Sequence, residues 1–283
     1  MIPKGKLLIV GGHENKGEDP GENLVIQKKR VSQSHFEILG RLISQIPREN
    51  HLIEIIASAS AIPEEMEELY LDAYKKEGFT EVGIIKIENP EDGHNPDSIE
   101  RINNAHAVFF TGGDQNRLIS HVGHTKVLSA IIHKYHTDPD FIIGGTSAGA
   151  MAVPETIIGG GQIREALFKG DIEITKGLCL IKDVLVDTHF VKRGRFARLA
   201  HAVALHPHCL GIGLGEDTAL LITEGDIAEC IGSGMVIIID GSDISGCNIH
   251  EVDDLTPIVM DNLKVNILAE GSRFSLKERK NLG

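Results

Sequence analysis

A serine set between two glycines, Gly145-Thr146-Ser147-Ala148-Gly149, follows the apolar run Phe141-Ile142-Ile143 and leads into Ala150-Met151-Ala152. A G-x-S-x-G pentapeptide between a strand and a helix is the pattern of a nucleophile elbow. The turn is so tight that a Cβ in place of either glycine hydrogen meets the neighbouring strand or helix. The serine is held strained, with its hydroxyl projecting from the sheet edge. The chemistry on offer is nucleophilic attack on a carbonyl. The pattern is short, and a glycine-rich βα loop that merely carries a serine also satisfies it.

Such a nucleophile needs an oxyanion site, a base and a carboxylate to orient the base. Thr111-Gly112-Gly113-Asp114-Gln115 ends an apolar run. The Gly112-Gly113 pair lets backbone N–H groups approach a ligand, and with the N–H of Ala148 it would make an oxyanion site. Gly11-Gly12-His13-Glu14 ends another apolar run and carries a weaker signal. Among 14 histidines, His189 stands out. It closes the apolar stretch Val184-Leu185-Val186-Asp187-Thr188 and precedes Phe190, Lys192, Arg193, Arg195 and Arg198. Arg195 and Arg198 are three apart and share a face if a helix has begun. Arginines at a helix start oppose its dipole, which points to carboxylate binding; a solvated basic face is equally open. Glu216 and Asp217 sit in the glycine-rich approach to a strand, where acidic turn residues are ordinary. His133 with His136, and His206 with His208, read as surface histidines, so no metal is expected.

The elements that must position these groups alternate along the first half. Leu7–Val10, Leu52–Ala57, Val82–Ile87, Ala107–Phe110 and Phe141–Ile143 are short continuous apolar runs, as in strands buried on both faces. Between them lie helical patterns. Residues 31–46 place Phe36, Leu39, Ile43 and Ile46 on one face, and 63–78 start at Pro63 and stop at Gly78. Residues 97–103 and 125–135 complete the alternation. The second half predicts a strand at 184–186, a helix at 193–205, and strands at 219–222, 227–230, 236–239 and 264–268. The polar end, 277–283, reads as frayed. The expectation is one α/β domain over 1–283. Its central sheet is mostly parallel with helices on both faces, and a β-rich C-terminal extension continues the same sheet.

Net charge is −13, so a phosphate backbone is repelled and nucleic acid is an unfavourable partner. Leu7–Val10 is too short for a signal-peptide core, and no apolar run reaches membrane-spanning length. Four cysteines, none in C-x-x-C, read as reduced and mostly buried thiols of a cytoplasmic protein.

Taken together, these motifs resemble the cyanophycinase family of serine peptidases. The matching segments are Phe109–Gln115, Gly144–Ala150, Asp187-Thr188-His189-Phe190 with Arg193, Arg195 and Arg198, and Gly211-Ile212-Gly213 with Glu216-Asp217-Thr218-Ala219. The resemblance runs from the first strand to about residue 240. The chain is more distantly similar to aspartyl dipeptidases, which share the serine elbow. The resemblance implies a class I glutamine amidotransferase-like, or flavodoxin-like, arrangement and no cofactor. It implies a homodimer that hydrolyses cyanophycin, a poly-aspartate with arginine on each β-carboxyl, to β-Asp-Arg dipeptides. By that resemblance Ser147 is the nucleophile, His189 the general base and Glu216 its orienting carboxylate. Gly113 and Ala148 are the oxyanion donors. Gln115, Asp187, Thr188, Arg193, Arg195 and Arg198 fall on substrate-pocket positions. Thr188 departs from the family, many of whose members have Gln there, and this bears on substrate preference. The order Ser, His, Glu differs from that of α/β-hydrolases, where the acid precedes the histidine. An aspartyl dipeptidase or other β-aspartyl peptidase is the alternative enzyme. A non-catalytic polymer-binding protein is the alternative of another class.

Overall fold

The computed structural model describes residues 2–12, 37–46, 52–76, 79, 81–161 and 167–283. His13, Glu14 and most of the expected helix before Glu37 lie outside them.

The first half alternates strand and helix as its apolar runs require. In chain order come β1 (Lys6–Val10), α1 (Glu37–Ser44), β2 (Leu52–Ile56), α2 (Pro63–Lys76), β3 (Glu81–Ile84) and α3 (Pro96–Asn104). Then follow β4 (Ala107–Phe110), α4 (Gln115–Val122), α5 (Lys126–Thr137), β5 (Ile142–Thr146) and the short α6 (Ala148–Ala152). The helix boundaries have local causes. The Asn95 side chain accepts from Asp97 N–H ahead of α3, Asp114 caps α4, and Thr125 caps α5.

The second half holds the hairpin β6 (Thr156–Gly161) and β7 (Ile172–Lys176), then β8 (Val184–Asp187) and α7 (Phe196–Leu205). It continues through β9 (Leu210–Leu214), β10 (Thr218–Thr223), β11 (Ile227–Gly232), β12 (Val236–Asp240), β13 (Lys264–Leu268), β14 (Arg273–Ser275) and β15 (Lys280–Asn281).

Nine strands form the main sheet, in the order β15-β14-β11-β10-β1-β5-β4-β2-β3. The run from β1 to β3 is parallel; β10, β11, β14 and β15 extend it antiparallel. Successive side chains of a strand point to opposite faces. Leu7 and Ile9 of β1 accordingly join the apolar cluster beneath α3, α4 and α5, whereas Leu8 and Val10 join the cluster beneath α1 and α2. A sheet buried on both faces explains why these runs lack polar alternation.

Three expectations need correction. The β-rich half does not all continue one sheet: β8, β9, β12 and β13 form a separate four-stranded sheet. Its inward residues, among them Val186, Ile212 and Ile238, join the cluster that covers one face of the main sheet. The stretch 210–214, read from sequence only as part of a glycine-rich approach to a strand, is itself a fully buried strand. Its glycines admit neighbours: a Cβ on Gly213 would sit 2.6 Å from the Phe190 ring, and one on Gly211 2.7 Å from Val203. Finally, the C-terminal residues are tied down. Phe274 is wholly buried, Leu276 and Lys277 N–H donate to Asp226, and the Arg279 guanidinium bonds Asp240 and the His208 carbonyl.

Cys209 and Cys230 are buried and their thiols are pushed up to about 11 by desolvation, which leaves them unreactive; Cys179 and Cys247 are half-exposed. No helix among the described residues is long and apolar enough to cross a membrane.

Phe274 is the apolar anchor of the β14–β15 edge. Phe274→Ala is expected to destabilise the protein by about 3–5 kcal/mol in urea unfolding. A midpoint equal to wild type would show that this hairpin does not seal the sheet.

Candidate active site

The site lies at the carboxyl end of the parallel strands, where open α/β sheets place their ligands. Ser147 stands between β5 and α6 with φ 51° and ψ −114°. A positive φ is costly for a residue with a side chain, and it persists here because its surroundings enforce it. The elbow glycines show why. A Cβ on Gly145 would lie 2.8 Å from Gly149, and one on Gly149 2.3 Å from the Phe110 carbonyl.

The Ser147 hydroxyl lies 3.0 Å from His189 Nε2, and His189 Nδ1 lies 2.8 Å from Glu216 Oε1. With Nδ1–H donating to the carboxylate, Nε2 is the acceptor for the serine proton. Burial lowers the His189 pKa from its ordinary value. The hydrogen bond to Glu216 opposes that, and the charges of Arg193 and Arg195 reinforce it. The imidazole is therefore neutral at neutral pH, as a base must be.

Three segments far apart in sequence meet here because the end of β1 holds them all. The Val10 carbonyl accepts from Ser147 N–H at 3.0 Å, the Gly11 carbonyl from His189 N–H at 2.9 Å, and the Gly12 carbonyl from Asp217 N–H at 3.2 Å. Gly12, at φ 98°, also faces the imidazole: a Cβ there would sit 2.5 Å from the ring. The weak Gly11-Gly12 signal is thus a positioning feature, and its function lies in the absence of side chains.

The Gly112–Gly113 loop runs beside the nucleophile; a Cβ on Gly112 would lie 3.4 Å from Ser147 Cβ. Gly113 takes φ 144° and packs on the Ala59 carbonyl. Ala148 opens α6, so its N–H has no intrahelical acceptor. Ala148 directly follows Ser147, and Gly113 directly follows Gly112, whose Cβ position is in contact with the serine.

The expected substrate-pocket residues divide. Asp187 is 0% exposed and is enclosed by the Arg195 and Arg198 guanidiniums, each residue only 8% exposed. Arg198 Nε donates to Asp187 Oδ2 at 2.8 Å, and Arg195 Nη1 donates to Asp187 Oδ1 at 3.0 Å and to the Thr188 carbonyl at 2.7 Å. Thr188 is also 0% exposed, and its N–H donates to Asp187. Asp187 and Thr188 therefore offer no surface to a substrate in this conformation, contrary to expectation. They complete a buried ionic cluster that sets the base of α7. Arg195 and Arg198 are committed to Asp187, and the Arg195 charge also reaches the His189 imidazole. Arg193 is exposed, before α7 begins, and close enough to act on His189. Gln115 donates its amide N–H groups to the Ile158 and Gly159 carbonyls.

Sequence reasoning missed one participant. Lys192 Nζ lies 3.1 Å from Glu216 Oε2, so the two carboxylate oxygens face a lysine and the His189 imidazole. Its only sequence signal is its place three residues after His189. No cluster of three or more His, Cys, Asp or Glu side chains able to hold a metal occurs among the described residues.

Comparison with known proteins finds relatives over nearly the whole chain. The model of peptidase family S51 matches residues 29–230. The chain is 32% identical to a cyanophycinase of Synechococcus elongatus, across 97% of this chain and 80% of that one. It is 31% identical to a cyanophycinase of Geminocystis herdmanii, across 97% and 94%. Its fold is like that of the crystal structure of a peptidase from an acI-B1 Actinobacterium, with TM-score 0.62, 21% identity and 97% of both chains covered.

Two outcomes are expected when Ser147 is titrated with a fluorophosphonate. Gly12→Ala slows labelling by about 100-fold, because its Cβ displaces the imidazole; labelling at the wild-type rate would remove Gly12 from the positioning of His189. Arg193→Met raises the His189 pKa, since the arginine charge lowers it. The acidic limb of the labelling rate then moves to higher pH, and an unmoved or lowered limb contradicts the charge coupling.

Proposed function

Because the chain belongs to peptidase family S51, we propose that it is a serine exopeptidase of cyanophycin, releasing β-Asp-Arg dipeptides through an acyl-enzyme. The observation that carries this reading is the continuous relay from Ser147 Oγ to His189 Nε2, and from Nδ1 to Glu216. A protein that only bound the polymer would have no use for a strained serine aligned with a neutral imidazole.

In this reading His189 accepts the Ser147 proton as Oγ attacks the scissile carbonyl. The developing oxyanion lies against the N–H groups of Gly113 and Ala148. His189 then gives the proton to the leaving amine. Water repeats the sequence in reverse and frees the acyl group. Glu216 stabilises the imidazolium formed in between, and Lys192 keeps its second oxygen from turning away.

Charge supports the substrate class. Arg193 presents an exposed guanidinium beside the triad, backed by the buried Asp187 cluster with its two guanidiniums. An aspartate backbone carboxylate fits that side. The chain as a whole carries −13, which favours the approach of the polymer's guanidinium groups.

Purified protein incubated with cyanophycin should release soluble β-Asp-Arg, detected by mass spectrometry. Ser147→Ala should lower that release by about 10⁴-fold or more. Equal release by the variant would remove Ser147 as nucleophile. Turnover of short Asp-X dipeptides with none of the polymer would favour an aspartyl dipeptidase.

A further inference from the structure

A cavity of about 350 Å³ opens on the same sheet edge as the triad, and neither the triad nor the arginine cluster lines it. Its volume lies within the range of small-molecule sites. It sits beyond the ends of β2 and β3, between α2 and α4. The strand order β5-β4-β2-β3 places its walls two and three strands from the one that carries Ser147. At about 4.8 Å per strand, that is about 10–14 Å along the edge. The Gly112–Gly113 loop separates the two, touching Ser147 on one side and the Ala59 carbonyl on the other.

The lining carries both signs of charge. Glu67, 8% exposed, pairs with Lys86 at 3.4 Å. Arg117 and His121, four residues apart on α4, share the face that borders the cavity. Glu88 comes from the segment after β3. The Arg117 guanidinium and the Glu88 carboxylate have no ion-pair partner among the described residues. The Ser58 hydroxyl, on a residue 7% exposed, and His121 Nδ1 are buried without a hydrogen-bond partner among the described residues. Native proteins seldom leave buried polar atoms unmatched, and these two beside one cavity can serve a polar guest once their side chains turn toward it.

We propose that this cavity is a subsite for an Nα-acylated arginine with a free α-carboxylate, the arginyl end of a substrate unit adjacent to the one being cleaved. Arg117 takes the carboxylate in a bidentate fork, and Glu88, beside the Glu67–Lys86 pair, takes the guanidinium. Ser58 and His121 hydrogen-bond the groups between. The inference rests on the reading of the substrate as cyanophycin, whose side chains all end in this zwitterion. A subsite 10 Å or more from the nucleophile, by the strand spacing above, contributes to holding the polymer rather than to bond cleavage, so about the same loss is expected in KM as in binding.

Nα-acetyl-L-arginine is the probe, titrated calorimetrically into full-length Ser147→Ala protein. Binding is expected, weakened about tenfold or more by adding Arg117→Met and unchanged by adding Arg193→Met. In the otherwise wild-type enzyme, Arg117→Met should raise KM for cyanophycin about tenfold with kcat little changed. The proposal is overturned if the probe does not bind, if Arg117→Met leaves its affinity intact, or if Arg193→Met abolishes it, since that places the probe at the triad. Glu88→Gln, at an exposed position that does not endanger folding, repeats the test. The titration needs no turnover. Failure of the wild type to cleave cyanophycin would count against the substrate reading, while the subsite stands or falls on the calorimetry.

Discussion

The site depends on three successive carbonyls at the end of β1. Val10, Gly11 and Gly12 each accept one N–H, from Ser147, His189 and Asp217 in turn. The triad is thereby referenced to a single buried strand at the centre of the nine-stranded sheet. The serine, histidine and glutamate come from positions 147, 189 and 216, on two different sheets and their connections. Side-chain hydrogen bonds alone would not hold them within the few tenths of an ångström that proton transfer demands. A rigid strand edge does. The arrangement also requires glycine at 11 and 12. A Cβ on Gly11 would strike the Gly215 carbonyl at 1.8 Å, and one on Gly12 would strike the imidazole.

Behind His189 lies a cluster with a net positive charge. Two guanidiniums on one carboxylate, all buried, make an expensive arrangement compared with an apolar core of similar volume. Its retention is understandable from what it does to its neighbours. Asp187 ends β8 and Arg198 belongs to the first turn of α7, so their ion pair fixes the angle at which helix leaves strand. The loop they enclose is residues 188–195, which carries His189, Lys192 and Arg193. Burial is the main cause that lowers the His189 pKa, and the Arg195 charge of this cluster adds a smaller push in the same direction.

The parallel half of the fold and the elbow were legible in the sequence because their signals are local. Apolar runs of strand length, a proline at a helix start and G-x-S-x-G each report on a few adjacent residues. The strand 210–214 and the roles of Gly11-Gly12 were not, because glycine has two uses that look alike in sequence. It relaxes a turn, or it clears space for a distant side chain, and only the partner distinguishes them. For Gly213 the partner is Phe190; for Gly12 it is His189. The arginines posed the same difficulty. Arg195 and Arg198 are spaced to face a ligand, yet Asp187, eight and eleven residues earlier, already occupies them. Lys192 was missed because its partner is 24 positions away and the pair follows no local spacing.

The uneven distribution of charge follows from these constraints. A chain of net charge −13 concentrates Lys192, Arg193, Arg195 and Arg198 within nine residues of His189. Two of the four are neutralised in part by Asp187, one engages Glu216, and Arg193 alone stays exposed without an ion-pair partner among the described residues. An exposed guanidinium next to a neutral imidazole attracts a carboxylate without protonating the base, because its charge opposes imidazolium formation. Replacing Arg193 with an acid would do the reverse: it would stabilise imidazolium and repel the backbone carboxylate together. The same charge would therefore favour a bound carboxylate and keep the imidazole in its neutral form. That coupling gives a physical reason for arginine, which stays charged at any working pH, rather than a titratable residue at this position.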